Sequence, residues 1–143
     1  MTKEEVHDAL TRVMDPEIPT ISIVDLGMVE DVQVEAGQVH VALLPTFLGC
    51  PALDLIEEAV RKQLGAGVVV RFRHDPPWGT HRISEAGKQA LRRFGIAPPE
   101  DVVHCPRCGT EDVLEENLFG PTRCRSIFYC RKCRSPFEAF KAI

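Results

Sequence analysis

The sequence predicts an α+β fold: a small mixed sheet with helices packed on it, followed by a small cysteine-rich β-module. Three observations carry this. Strand-like alternation and helix-like periodicity succeed one another through the first hundred residues in the order α-β-β-α-β-α. Gly and Pro punctuation then gathers in "GIAPPED" (95–101). Beyond it five of the six cysteines crowd into the last forty residues. At 143 residues with 44% hydrophobic content, the chain can bury a real core in one domain plus a mini-domain. We place the two at 1–97 and 98–143.

The first helix is expected over 3–14. Thr2 caps it, Glu5 completes a capping box, and Val6, Ala9, Leu10 and Val13 follow the spacing of a buried stripe. "DPEIPTISIVDLG" (15–27) breaks the pattern with two prolines. Ile18, Ile21 and Ile23 are too apolar for a solvated linker, so it reads as an ordered loop. A hairpin follows, Val32 and Val34 alternating with polar residues, "EAGQ" turning, then Val39, Val41 and Leu43. Pro51 opens a second helix, where its missing N–H costs nothing. Its stripe is Ala52, Leu55, Ile56, Ala59, Val60 and Gln63. "VVVRFRHD" (68–75) reads as a third strand, "DPPWGTH" as a loop, and Ser84 to Phe94 as a third helix ended by Gly95. A strand, helix and strand in succession suggest a crossover connection.

Charge is uneven. Residues 1–100 hold 10 Lys and Arg against 15 Asp and Glu, a balance of −5, whereas 101–143 hold 7 against 6. An acidic body argues against general nucleic-acid affinity, which rests on phosphate neutralisation. The run from Arg123 to Arg134 contains Arg123, Arg125, Arg131, Lys132 and Arg134 and no acid, which keeps a docking role open for the tail. No apolar run is long enough to span a bilayer, and "MTKEEVHDAL" has no signal-like stretch. A cytoplasmic location without membrane association is expected. Thiols stay reduced there, so clustered cysteines point to metal rather than to disulfides.

"CPRCG" (105–109) and "CRKCR" (130–134) give Cys-x-x-Cys twice. Each pair converges two sulfurs, and two such knuckles form a tetrahedral four-sulfur shell at about 2.3 Å per Zn–S bond. Cys105, Cys108, Cys130 and Cys133 are therefore the expected ligands of a structural zinc ribbon; iron is the alternative on ligand softness. Four protein ligands leave no open position for hydrolytic chemistry. His104 could substitute for one ligand. Cys124 is spaced wrongly for a knuckle and reads as a buried ribbon residue.

Cys50 stands apart. With Pro51 as the first helical residue, its sulfur faces the positive end of the macrodipole, which favours the thiolate. A small apolar filler at a helix start is the equally simple alternative. Asp15, Glu17 and Asp25 come from a loop that could reach the same end of the sheet, and Thr46 could donate to the sulfur; singly, the acids are ordinary turn and cap residues. No Cys/His spacing announces a nucleophile pair.

"DPEIPTISIVDLGMV" (15–29) followed by "TFLGCPA" (46–52) resembles the metal–sulfur cluster assembly domain family, which includes SufT-like proteins. The tail, "HCPRCGTEDVLEENLFGPTRCRSIFYCRKCRSPFEAFK", resembles the PaaD branch, accessory proteins of bacterial phenylacetyl-CoA epoxidase systems in phenylacetate degradation. "PPWGTHRIS" (76–84) departs from that branch at His81 and Arg82. The resemblance implies a role in assembling or maturing an iron–sulfur or di-iron centre, with oxygenase or reductase clients. It implies an accessory component, not itself the oxygenase. It implies transient iron or Fe–S cluster binding at Cys50, flanked by Asp15, Glu17, Asp25 and Thr46. One cysteine cannot hold a cluster alone, so a homodimer or a client complex is expected. The alternatives are a non-catalytic subunit of the oxygenase complex and a zinc-ribbon nucleic-acid binder.

Overall fold

The computed structural model describes residues 1–46, 52–121 and 125–141. The chain forms two compact units, Met1–Gly87 and Lys88–Ile143, each with its own sheet. The α+β class read from the sequence is the class observed.

In the first unit, α1 spans Lys3–Leu10 and Thr2 caps it, its hydroxyl accepting from the Glu5 N–H at 3.1 Å. The helix stops short of the expected residue 14. Arg12 and Val13 donate back to Ala9 and Leu10, a tightening of the last turn into 3-10 geometry that still buries Val13. Strands β1 (Val29–Glu35) and β2 (Gln38–Leu43) form the expected antiparallel hairpin. Ala36 and Gly37 both take positive φ at its tip, the backbone twist that a two-residue hairpin turn requires. Helix α2 (Ala52–Leu64) buries Ala52, Ile56 and Val60, whereas Leu55, expected in the stripe, is 55% exposed and Gln63 is exposed. It returns the chain to β3 (Val69–Phe72), which lies parallel to β2. The sheet is thus mixed, in the order β1-β2-β3. β3 is shorter than the 68–75 expected, although the Arg73 N–H still reaches Leu43 O at 2.8 Å. α1 packs on α2 and on β1.

The proline-bearing segment before β1 is ordered, as its isoleucines require. Ile18, Ile21 and Ile23 are buried, and Asp15 and Ile23 N–H groups bond Ile21 O and Val13 O at 2.9 Å each. Helix α3 (Glu85–Arg93) starts after Ser84, whose hydroxyl accepts from the Gly87 N–H at 3.0 Å. The division between the units falls within α3.

The second unit is a four-stranded sheet in the order β4-β7-β6-β5, built from β4 (Ile96–Ala97), β5 (Val113–Asn117), β6 (Arg125–Cys130) and β7 (Ser135–Phe140). β5, β6 and β7 are the antiparallel ribbon expected from the sequence. β4 is not: Ile96 and Ala97, within the stretch read as the domain boundary, pair parallel with Glu138 and Ala139 and are buried.

Candidate metal centre and the motif loop

Two hairpin knuckles, one before β5 and one joining β6 to β7, bring four sulfurs together. The chain solves both in the same way. The Gly109 N–H reaches back to Cys105 O at 2.9 Å, and the Arg134 N–H to Cys130 O at 2.7 Å. Both residues adopt positive φ, 76° at Gly109 and 56° at Arg134. Glycine takes that conformation freely; the arginine holds it because the ribbon fixes both ends of the turn. The Cys133 N–H donates to the Cys130 sulfur at 3.2 Å.

The sulfurs of Cys105, Cys108, Cys130 and Cys133 all lie within 4.8 Å of one another. Cys108 and Cys130 are 3.7 Å apart, Cys105 and Cys133 4.0 Å. A tetrahedron with 2.3 Å metal–sulfur bonds has edges of about 3.8 Å, so the donor set fits a zinc ion, and it is too open for a disulfide. Cys105 and Cys130 are buried within a small apolar core with Ala97, Phe137 and Ala139, on which Phe128 stacks against Phe137 at 5.8 Å. Metal and core therefore occupy the same spot, and each compensates for the small size of the other.

The protonation chemistry agrees. Burial raises the Cys105 thiol, but N–H groups of Cys108 and Arg107, with the thiols of Cys108 and Cys130, outweigh it and bring the group down to about 6. Cys133 is pushed up to about 12, first because its proton is shared with Cys108, then by burial, Cys130 and Cys105. The Cys105 thiolate forms readily and the Cys133 thiolate resists; a divalent cation at the cluster removes that resistance.

His104 is not a fifth partner. Its ring lies between Glu100 (3.7 Å) and Glu111 (3.3 Å). The basic run is also partly neutralised. Arg125 is buried and meets Glu138 at 2.8 Å, and Arg131 meets Asp112 at 3.3 Å. Arg123 and Cys124 lie outside the described residues, as do Cys50 and Pro51.

Of the first unit's candidates, Asp15, Glu17, Asp25 and Thr46 are described, and these four form no converging donor group by themselves. Among the described residues, the four cysteines are the one group of three or more His, Cys, Asp or Glu whose donor atoms converge. Asp15 Oδ1 instead accepts from the Glu17 and Ile18 N–H groups at 2.7 and 3.0 Å, an Asx turn that shapes the loop. Asp25 Oδ1 accepts from the Ser84 hydroxyl, and Asp25 O from the Ser84 N–H, both at 2.9 Å. Thr46 is half-buried beyond the end of β2.

Asp25 belongs to a clamp that sequence reasoning missed. The Trp78 indole N–H donates to Leu26 O at 2.9 Å. Arg82 donates through Nε to Gly27 O at 2.7 Å and pairs through Nη2 with Glu30 at 2.9 Å. The β1–β2 pairing skips Glu30. Close approach requires glycine on both sides: a Cβ on Gly27 would stand 2.4 Å from Arg82 O, and one on Gly87 2.7 Å from Asp25 O. The signals were the single tryptophan and the arginine of "PPWGTHRIS", neither of which carries a local pattern.

Comparison with known proteins matches both parts. The model of the iron–sulfur cluster assembly protein family matches residues 3–70, and that of the PaaD zinc β-ribbon domain matches 92–141. Over 97% of its length the chain is 35% identical to an Escherichia coli protein named as a putative subunit of 1,2-phenylacetyl-CoA epoxidase, covering 92% of it. Over 62% of its length it is 36% identical to the Fe-S protein maturation auxiliary factor YitW of Bacillus subtilis, covering 92% of that protein. A crystal structure from Bacillus anthracis, of a domain of unknown function called DUF59, matches 62% of this chain and 90% of its own length, with 30% identity and a TM-score of 0.58. The chain belongs to the iron–sulfur cluster assembly protein family, in the branch that carries a PaaD zinc β-ribbon.

Proposed function

We propose that this protein is an accessory factor that helps assemble or mature an iron–sulfur or di-iron centre of a phenylacetyl-CoA epoxidase system. The observation that carries the reading is likeness to the Escherichia coli epoxidase relative along nearly the whole chain, both units included. The match to the cluster-assembly family over the motif loop supports the assembly role in particular.

In this reading the two units do different work. Cys105, Cys108, Cys130 and Cys133 hold a structural zinc that fixes the ribbon. A closed four-sulfur shell supplies folding free energy and no reactive position. Iron or a cluster is cargo, not a resident cofactor. Cys50 is the sulfur that receives and passes it on, with Glu17 and Thr46 flanking and Asp15 and Asp25 holding the loop in shape. One thiolate needs partners from a client or a second copy, so the loaded state is a transient complex.

The relative's designation as an epoxidase subunit favours a second reading, a non-catalytic component of the oxygenase itself. Reconstitution separates the two. Purified, metal-replete oxygenase and reductase should turn over fully without this protein. Turnover that rises with stoichiometric addition would replace the assembly reading with the subunit reading.

A further inference from the structure

We propose that the open face of the β1-β2-β3 sheet carries a binding site for a small oxyanion, a phosphate or a carboxylate, held by Arg71 and Arg73. This is independent of the cluster-assembly reading.

The site follows from strand alternation. Residues two apart share a face, so Arg71 and Arg73 project from the same side of the chain at β3. The register sets Asp31, Ala42 and Arg71 in one row across the three strands and Gln33 with His40 in the next. Ala42 is the short side chain in the middle of a row of long ones. The result is a hollow of about 230 Å3 lined by these residues together with Val41.

Charge then selects the occupant. The first unit has five arginines and an excess of carboxylates. Three of the five are paired: Arg12 with Asp8, Arg61 with Glu57, and Arg82 with Glu30. Arg71 and Arg73 make no side-chain ion pair or hydrogen bond among the described residues, although both are exposed in an acid-rich unit. The acid of the hollow, Asp31, accepts from the Gln33 amide at 3.0 Å and sits two strand spacings from Arg71, about 10 Å of backbone separation. Two like charges kept side by side at the rim of a hollow repel one another until an anion sits between them. Guanidinium forks match the oxygen geometry of phosphate and carboxylate, and the His40 ring adds a polar contact from the central strand.

The test is a nuclear magnetic resonance titration of the full chain at constant ionic strength, with sodium phosphate in one arm and sodium succinate in the other. Saturable shifts are expected at the Arg71 and Arg73 Nε–H signals and at the Ala42 amide, with one anion displacing the other. The tighter arm identifies the ligand as phosphate-bearing or carboxylate-bearing. Arg71→Gln and Arg73→Gln should each weaken binding about tenfold or more, while Arg12→Gln leaves it unchanged. Ala42→Leu fills the hollow and keeps both charges, and should abolish saturation. The two arginine variants alter exposed side chains only and stay informative if the Ala42 change unfolds the sheet. Shifts that never saturate in either arm, or that persist in both arginine variants, would overturn the proposal.

Discussion

Single side chains decide whether the motif loop keeps its shape. Trp78 is 8% exposed and its indole N–H is a donor to Leu26 O. Trp78→Phe keeps most of the apolar surface but strips a buried carbonyl of its partner, a loss of about 1–3 kcal/mol measured by denaturant unfolding. Arg82 acts through two different nitrogens on two partners, so Arg82→Lys, with one point of charge, should not restore what Arg82→Ala removes. Gly27→Ala combines a φ of 81° with a clash against Arg82 and should be at least as damaging as the tryptophan change. The sequence marked Asp15 and Asp25 as polar residues of a motif. The turn role of Asp15 was among its readings, since the Glu17 and Ile18 N–H partners are local, whereas the Ser84 partner of Asp25 is set by tertiary approach rather than by spacing and was not legible.

At the level of elements, periodicity was the reliable guide where one face is buried. The β1–β2 hairpin, its Ala36-Gly37 turn and the β5-β6-β7 ribbon were legible because alternation and turn chemistry agree. Helix α2 shows the limit. Its apolar residues mark two adjacent stripes, and tertiary packing, which includes contact with α1, chooses Ile56 over Leu55. Ile56→Ala should therefore cost about 2–5 kcal/mol, whereas Leu55→Gln should stay within about 0.5 kcal/mol; thermal unfolding of the two variants side by side checks this. β4 was not legible at all. Two residues carry no period, and Ile96 and Ala97 become a strand only because the β7 edge is there to pair with. The second knuckle was legible in its cysteines but not in its turn, since arginine at position 134 conceals the positive φ that glycine declares at 109.

The whole molecule divides its stability between a sheet with an apolar core and a ribbon that needs its metal. Chelation of zinc should unfold Lys88–Ile143 while leaving Met1–Gly87 folded, seen as loss of amide protection confined to the ribbon strands. Metal analysis should give one ion per chain, retained in Cys50→Ser and lost in Cys130→Ser. Acid should release it, because protons compete for the same four sulfurs. The four-cysteine site was readable from spacing alone, since two knuckles leave little geometric freedom. The motif loop needed the fold and the family together. Among the described residues no helix is long and apolar enough to cross a membrane. The most direct test of the assembly role is the iron content of the epoxidase oxygenase isolated from cells lacking this protein. The expected result is an iron-poor oxygenase with low turnover, restored by the wild-type chain and not by Cys50→Ser. An iron-replete, fully active oxygenase from those cells would contradict it.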